Sequence, residues 1–311
     1  MAKKMILLTH IFGGRTEDTN GKENDTVDDD VTIEHEIDGP NSEHINHNYI
    51  NSSGHIKTQK TFLGQSFHGS KRHLQGEARN AIAIVSEIGP STLFLTLTCN
   101  HMWPEIQEAL LPSQSAFDRP DIVCRVFKNR LSAFLSNLRA GKYFKHKLLY
   151  EIHVIEYQHR GLPHAHVVVK LEGAPNANNV AEASCWIDAN LSAKMPIITD
   201  TSSEEDIRYA KLVKDHMVHK CADAVNGCLN KNGRCKRGYQ DTTICQNTSF
   251  DIKGYPVYQR LQEADLSIVP HSREALLDWD GHLNIEFSGS SKSVLYLYKV
   301  ACNIICCTYE N

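Results

Sequence analysis

The chain has 311 residues, 41% of them apolar and 23% charged, enough to bury the core of one large domain or two modest ones, which excludes a mini-protein. Its 33 Lys and Arg against 37 Asp and Glu leave a formal charge of -4, so it is not a basic polymer that coats nucleic acid, and any such contact must come from local patches. No apolar run reaches the roughly 20 residues of a membrane-spanning helix. The stretch Val294–Cys307 is broken by Tyr296, Tyr298, Lys299 and Asn303, and Thr9 and His10 cut short the apolar opening. An intracellular, unsecreted protein with no membrane partner is expected.

From Glu17 to Glu43 there are eleven acidic residues and one Lys, and the stretch to Lys60 is rich in Asn, Ser and His. Such a segment buries too little to offset its ordering entropy, so residues 1–60 are expected to be disordered and 61–311 to form the folded domain. At Gly64–Lys71 the lysine is out of register for a phosphate-binding loop, and no nucleotide cofactor is expected. Ala78, Ile82, Ile84, Val85 and Ile88 recur at helical spacing up to Gly89-Pro90, predicting a helix over 76–89. Thr92–Thr98 alternates Leu93, Leu95 and Leu97 with Phe94, Thr96 and Thr98, which predicts a buried strand.

The capping sequence Asp118-Arg119-Pro120-Asp121 then opens an apolar stripe, Ile122 to Leu138, that predicts a long helix ending by Gly141. Between Ile122 and Tyr150 no residue is acidic, while Arg125, Lys128, Arg130, Arg139, Lys142, Lys145 and Lys147 are basic. Arg125, Lys128, Arg130 and Lys142 are candidate phosphate contacts, with a solvated helix face as the plain alternative.

Two β-rich runs, Leu148–Tyr157 and His164–Leu171, flank a Gly- and Pro-containing turn and predict a hairpin. His164 and His166 lie two apart, so a strand points both imidazoles to one face. Glu156 joins that face in one hairpin register and leaves it if the pairing slips by one, with Gln158 as a reserve of the same parity. In the first case two imidazoles and a carboxylate form a three-ligand site open to substrate oxygens.

The ten cysteines read as reduced thiols, Cys99 and Cys124 in apolar surroundings. Within a Cys/His-rich insertion over 210–250, Cys221, Cys228, Cys235 and Cys245 sit near His216 and His219. His219, Cys221, Cys228 and Cys235 are a candidate structural Zn²⁺ set, though the intervals are wider than tight Cys-x-x-Cys pairs, and a loop of free cysteines is the alternative.

The run Glu156-Tyr157-Gln158-His159-Arg160-Gly161-Leu162-Pro163-His164-Ala165-His166 resembles the metal-binding motif in the replication-initiator (Rep) domain of Helitron transposons, members of the HUH endonucleases. Phe67–Val85, Leu93–Asn100 with Trp103-Pro104-Glu105-Ile106, Asp118-Arg119-Pro120-Asp121, Gly254-Tyr255-Pro256 with Tyr258, His282–Glu286 and Tyr296-Leu297-Tyr298-Lys299 match in order, so the resemblance spans roughly residues 62–300. It implies an α+β fold, an antiparallel sheet with flanking helices, and metal-dependent nicking and joining of single-stranded DNA in rolling-circle transposition. His164, His166 and Glu156 would hold Mg²⁺ or Mn²⁺, and Tyr296 with Lys299 would form the nucleophilic centre. Eukaryotic members would act in the nucleus.

Family members carry a second tyrosine four residues after the first, where this chain has Val300, and an Asn-Pro where it has Asn100-His101. They also continue into a helicase, so the chain is expected to be truncated before it. A catalytically inactive DNA-binding remnant is therefore the competing reading.

Overall fold

The computed structural model describes the backbone of residues 6–11, 35–36, 44–50, 56–62, 71–157, 161–221, 228–230 and 232–288, and side chains from residue 72 onward except Leu74. In chain order the elements are β1 (Ile6–Ile11), β2 (His35–Glu36), β3 (His44–Ile50), β4 (Ile56–Phe62), α1 (Lys71–Ile88), β5 (Leu93–Thr98), α2 (Pro104–Gln107), α3 (Pro120–Arg139), β6 (Leu148–Tyr157) and β7 (Pro163–Leu171). Then come α4 (Val180–Asn190), α5 (Glu204–His216), β8 (Ser249–Phe250), β9 (Pro256–Val257), α6 (Arg273–Trp279) and β10 (Leu283–Phe287). The fold is α+β.

Its centre is a five-stranded sheet of order β1-β6-β7-β5-β10, antiparallel at every pairing. β1 comes from the stretch expected to be disordered and pairs along β6 from Ile6 opposite Ile155 to Ile11 opposite Tyr150. From the same stretch β2, β3 and β4 form a separate antiparallel sheet, while most of the acidic run, 12–34 and 37–43, lies outside the described residues.

Side-chain alternation gives the main sheet two faces. Leu93, Leu95, Leu97, Ala165, Val167 and Val169 point to one, where they are fully buried against Phe127, Leu131 and Phe134 of α3 and Leu276 and Trp279 of α6. Tyr150, Ile152, Val154 and Val168 point to the other and pack on Ala81 and Ile84 of α1. Helices thus flank the sheet, α3 and α6 on one face and α1 on part of the other.

α1 begins a turn before its apolar periodicity predicts. It stops at Gly89, whose φ of 102° suits a residue without Cβ and whose N–H donates to the Val85 carbonyl at 2.9 Å. α3 starts at Pro120, whose missing N–H would be unpaired there anyway. Asp118 caps the single turn before α3, together with Ser115, rather than α3 itself.

Candidate functional site

The hairpin register pairs Glu156 with His164 and Val154 with His166, and on the other side β5 sets Thr98 opposite His164 and Thr96 opposite His166. Paired residues share a face, so Glu156, His164 and Thr98 form one row across three strands. His282, one residue before β10, accepts the Thr98 N–H on its carbonyl at 3.0 Å and extends that row to a fourth strand. The next row reads Val154, His166, Thr96, Asn284.

The imidazoles of His164 and His166 lie with ring centroids 5.0 Å apart, each 9% exposed. Thr98 Oγ1 stands 3.2 Å from His164 Nδ1 and Thr96 Oγ1 3.2 Å from His166 Nδ1. Both threonines thus engage the Nδ1 ring nitrogen and fix the orientation of the imidazoles, as supporting hydrogen bonds do for a metal-binding histidine. Glu156 Oε2 approaches His166 Nε2 at 3.6 Å. Two imidazole nitrogens and one carboxylate are a donor set suited to a divalent transition metal.

Electrostatics favour the neutral form of His164. Burial pushes His164 down to about 3, helped by the neighbouring His166, His282 and Arg237 and opposed by Glu156. Burial also lowers His282, against the hydrogen bond between its Nδ1 and the His216 carbonyl at 2.7 Å. Asn284 Nδ2 donates to Glu286 at 2.8 Å, while its Oδ1 is buried without a hydrogen-bond partner among the described residues. Thr96, Thr98, His282 and Asn284 were given no part in the site by the sequence alone. The alternation of leucine and threonine in β5 was the available signal for the first two, whereas His282 and Asn284 needed the strand order.

The candidate phosphate contacts are not gathered on this face. Arg125 and Lys128 are exposed on α3, which covers the opposite side of the sheet. Arg130 grips Glu105 with two bonds of 3.0 and 2.9 Å and lies 4.5 Å over the Trp103 ring. Lys142 pairs with Asp278 at 3.0 Å and Arg139 with the fully buried Glu151 at 2.5 Å.

A second constellation lies in the cysteine-rich stretch. The ligand atoms of His219, Cys221, Cys228 and Cys235 all fall within 4.8 Å of one another, a geometry that can hold a metal ion. Cys221 Sγ and Cys235 Sγ are 3.5 and 3.4 Å from His219 Nε2. Burial tends to raise the Cys235 thiol, but the backbone N–H groups of Arg237 and Tyr239 donate to it and hold it below the usual thiol range. Cys245 is not in the cluster, since its thiol donates to the Tyr258 carbonyl at 3.0 Å. His216 contributes its carbonyl to His282 instead.

Gln158, Tyr296, Tyr298, Lys299 and Val300 lie outside the described residues, as does most of Gly64–Lys71. No helix among the described residues is long and apolar enough to cross a membrane.

No curated protein and no solved structure matches the chain. Residues 38–169 match the family model described as "Helitron helicase-like domain at N-terminus". That stretch contains β5, the β6–β7 hairpin and both site histidines, so over these residues the chain is similar to a Helitron helicase-like N-terminal domain, a similarity that suggests a Helitron transposase-related role.

Proposed function

We propose that the chain is a metal-dependent single-strand DNA nicking and joining enzyme whose nucleophile is Tyr296. The observation that supports this most is the convergence of Glu156, His164 and His166 on one sheet face, with each histidine oriented through Nδ1 by a threonine. A divalent ion there, Mg²⁺ or Mn²⁺, would polarise a DNA phosphate and offset the charge that builds during displacement. The residues' own work is to hold and direct. The threonines fix the imidazoles, burial keeps His164 neutral, and Glu156 supplies the negative charge that complements a cation.

In the cut, the Tyr296 phenol oxygen forms a bond to the scissile phosphorus as the bond to the 3′ oxygen breaks. The phenol gives up its proton and the departing 3′ oxygen gains one, leaving a 5′-phosphotyrosine and a 3′-hydroxyl. Lys299, three residues on, supplies positive charge near the phosphate oxygens. Arg125 and Lys128 offer a strand contact remote from the cut, whereas Arg130 and Lys142 are already neutralised by carboxylates.

The test is incubation with single-stranded DNA and Mn²⁺, followed by a denaturing gel for a covalent adduct. The adduct should be lost in Tyr296→Phe and fall by at least about 10-fold in His164→Ala, as for loss of a metal ligand. Because imidazole suits Mn²⁺ better than Mg²⁺, product should appear at lower Mn²⁺ than Mg²⁺. An adduct that persists in Tyr296→Phe would move the nucleophile elsewhere. Salt-sensitive binding with no adduct would instead favour a DNA-binding remnant, the reading that Val300 in the second tyrosine's place supports.

A further inference from the structure

We propose that His219, Cys221, Cys228 and Cys235 form a structural Zn²⁺ site that ties the cysteine-rich strap to the segment leading into α6. Donors at zinc-like bond lengths around one tetrahedral centre put a thiolate sulfur and an imidazole nitrogen about 3.6 Å apart. The two sulfur–nitrogen separations from His219, 3.5 and 3.4 Å, fit that edge. Three sulfurs and one nitrogen are also the donors that a borderline-soft ion selects over the oxygen-seeking Mg²⁺ and Ca²⁺.

The surroundings are built for the same purpose. None of the three cysteines is in a disulfide. Cys235 is buried, and the chain turns sharply after it at Gly238, φ 74°, whose N–H donates to the Cys235 carbonyl at 3.1 Å. Leu229 and Cys235 pair across a tight turn, with Lys236 N–H donating to the Cys228 carbonyl at 2.8 Å, so two of the thiols are set side by side by backbone alone. The Tyr239 ring stacks on the His219 imidazole at 4.1 Å and 14°, which fixes its orientation. Three thiolates, a neutral imidazole and Zn²⁺ carry one net negative charge, and Lys220, Arg234, Lys236 and Arg237 lie beside the ligands in sequence to offset it.

What the ion would hold is defined by the backbone at His219. Val218 bridges Ile268, and His219 N–H donates to the Ser267 carbonyl at 2.7 Å. One ligand is thus anchored to the segment leading into α6, and two others belong to a small loop with little apolar surface of its own. A metal supplies the cross-link that packing does not.

The purified full chain should retain about one Zn²⁺ after dialysis against a chelator, measured by elemental analysis. Replacing it by Co²⁺ should give the thiolate-to-cobalt charge-transfer band in the near ultraviolet and the strong red absorption of a tetrahedral centre. Cys228→Ser and His219→Ala should bring the bound zinc from about one per chain towards none. Cys245→Ser and His164→Ala should leave it unchanged. The proposal is overturned if the wild-type chain holds no stoichiometric zinc, if its cobalt form lacks the thiolate band, or if the ion leaves with His164→Ala rather than Cys228→Ser.

Discussion

His271 is fully buried, its Nδ1 2.8 Å from the Val269 carbonyl and its Nε2 2.8 Å from Tyr209 Oη. A ring that donates at Nδ1 and accepts at Nε2 is neutral, and burial holds this one down to about 4. The sign follows directly. Above the ordinary histidine range both folded and unfolded chains hold the ring neutral, so nothing is lost. As pH falls from about 6.5 towards 4, the unfolded chain takes a proton that the folded one refuses, and stability drops. Between pH 6.5 and 5 the loss from this group should be about 2 kcal/mol, seen as a lower urea midpoint, and His271→Gln should flatten that part of the profile. A wild-type midpoint that does not move over this interval would show that His271 titrates normally. His164, lowered to about 3 by burial, adds acid sensitivity in the same direction.

At the scale of elements, α3 and α6 meet through an aromatic knot. Trp279 is 1% exposed, its ring edge-on to Trp103, Phe127 and Phe134 at 5.2, 5.8 and 5.7 Å, and its Nε1 donates to the Thr98 carbonyl at 3.0 Å. That one bond joins the α6 end to the strand end that carries the site threonine. Trp279→Ala should cost about 3–5 kcal/mol, read as a fall in the thermal or urea midpoint, because it removes a large side chain from a packed interior and strands a backbone acceptor. Trp279→Phe should recover most of the packing and little of the hydrogen bond.

Elements were also where the sequence was most legible. The β6–β7 hairpin, β5 and α3 were visible from alternation, turn residues and a stripe of apolar side chains. The pairing of Glu156 with His164 was one of two registers the turn allowed, and only the strand pairing in the folded chain chose between them. The basic run left a phosphate patch and a solvated helix face as alternatives, because composition cannot reveal that Glu105 and Asp278, distant in sequence, pair with Arg130 and Lys142. The His219 cluster was named from residue types alone, yet its spacing was uninformative because a backbone turn, not a short interval, brings Cys228 and Cys235 together.

For the whole molecule, the matched stretch 38–169 supplies only the three central strands of the sheet. Both outer strands come from beyond it, β1 along β6 and β10 along β5. α6, which covers Leu95 and Leu97 through Leu276 and Trp279, also lies outside. A fragment of 38–169 would therefore present two open strand edges and an uncovered apolar face, and should elute as large aggregates on gel filtration while the full chain does not. A well-behaved small fragment would mean that the outer strands are dispensable. His282 and Asn284 would be missing from it in any case, leaving the two rows of the histidine face one strand short.

That layout also sets a clock during synthesis. Leu97 and its partner Leu283 are far apart in the chain, so β5 leaves the ribosome long before β10 exists. At roughly 5–20 residues per second, the interval is on the order of 10–40 s. In the later part of it, once residue 171 has been added, the nascent β6–β7 hairpin displays both imidazoles while β5, paired with β7 on one side, still lacks its other neighbour. A chaperone that shields unpaired strands has its opportunity in that window, and translation slowed between codons 171 and 283 should lengthen it and lower the yield of folded protein.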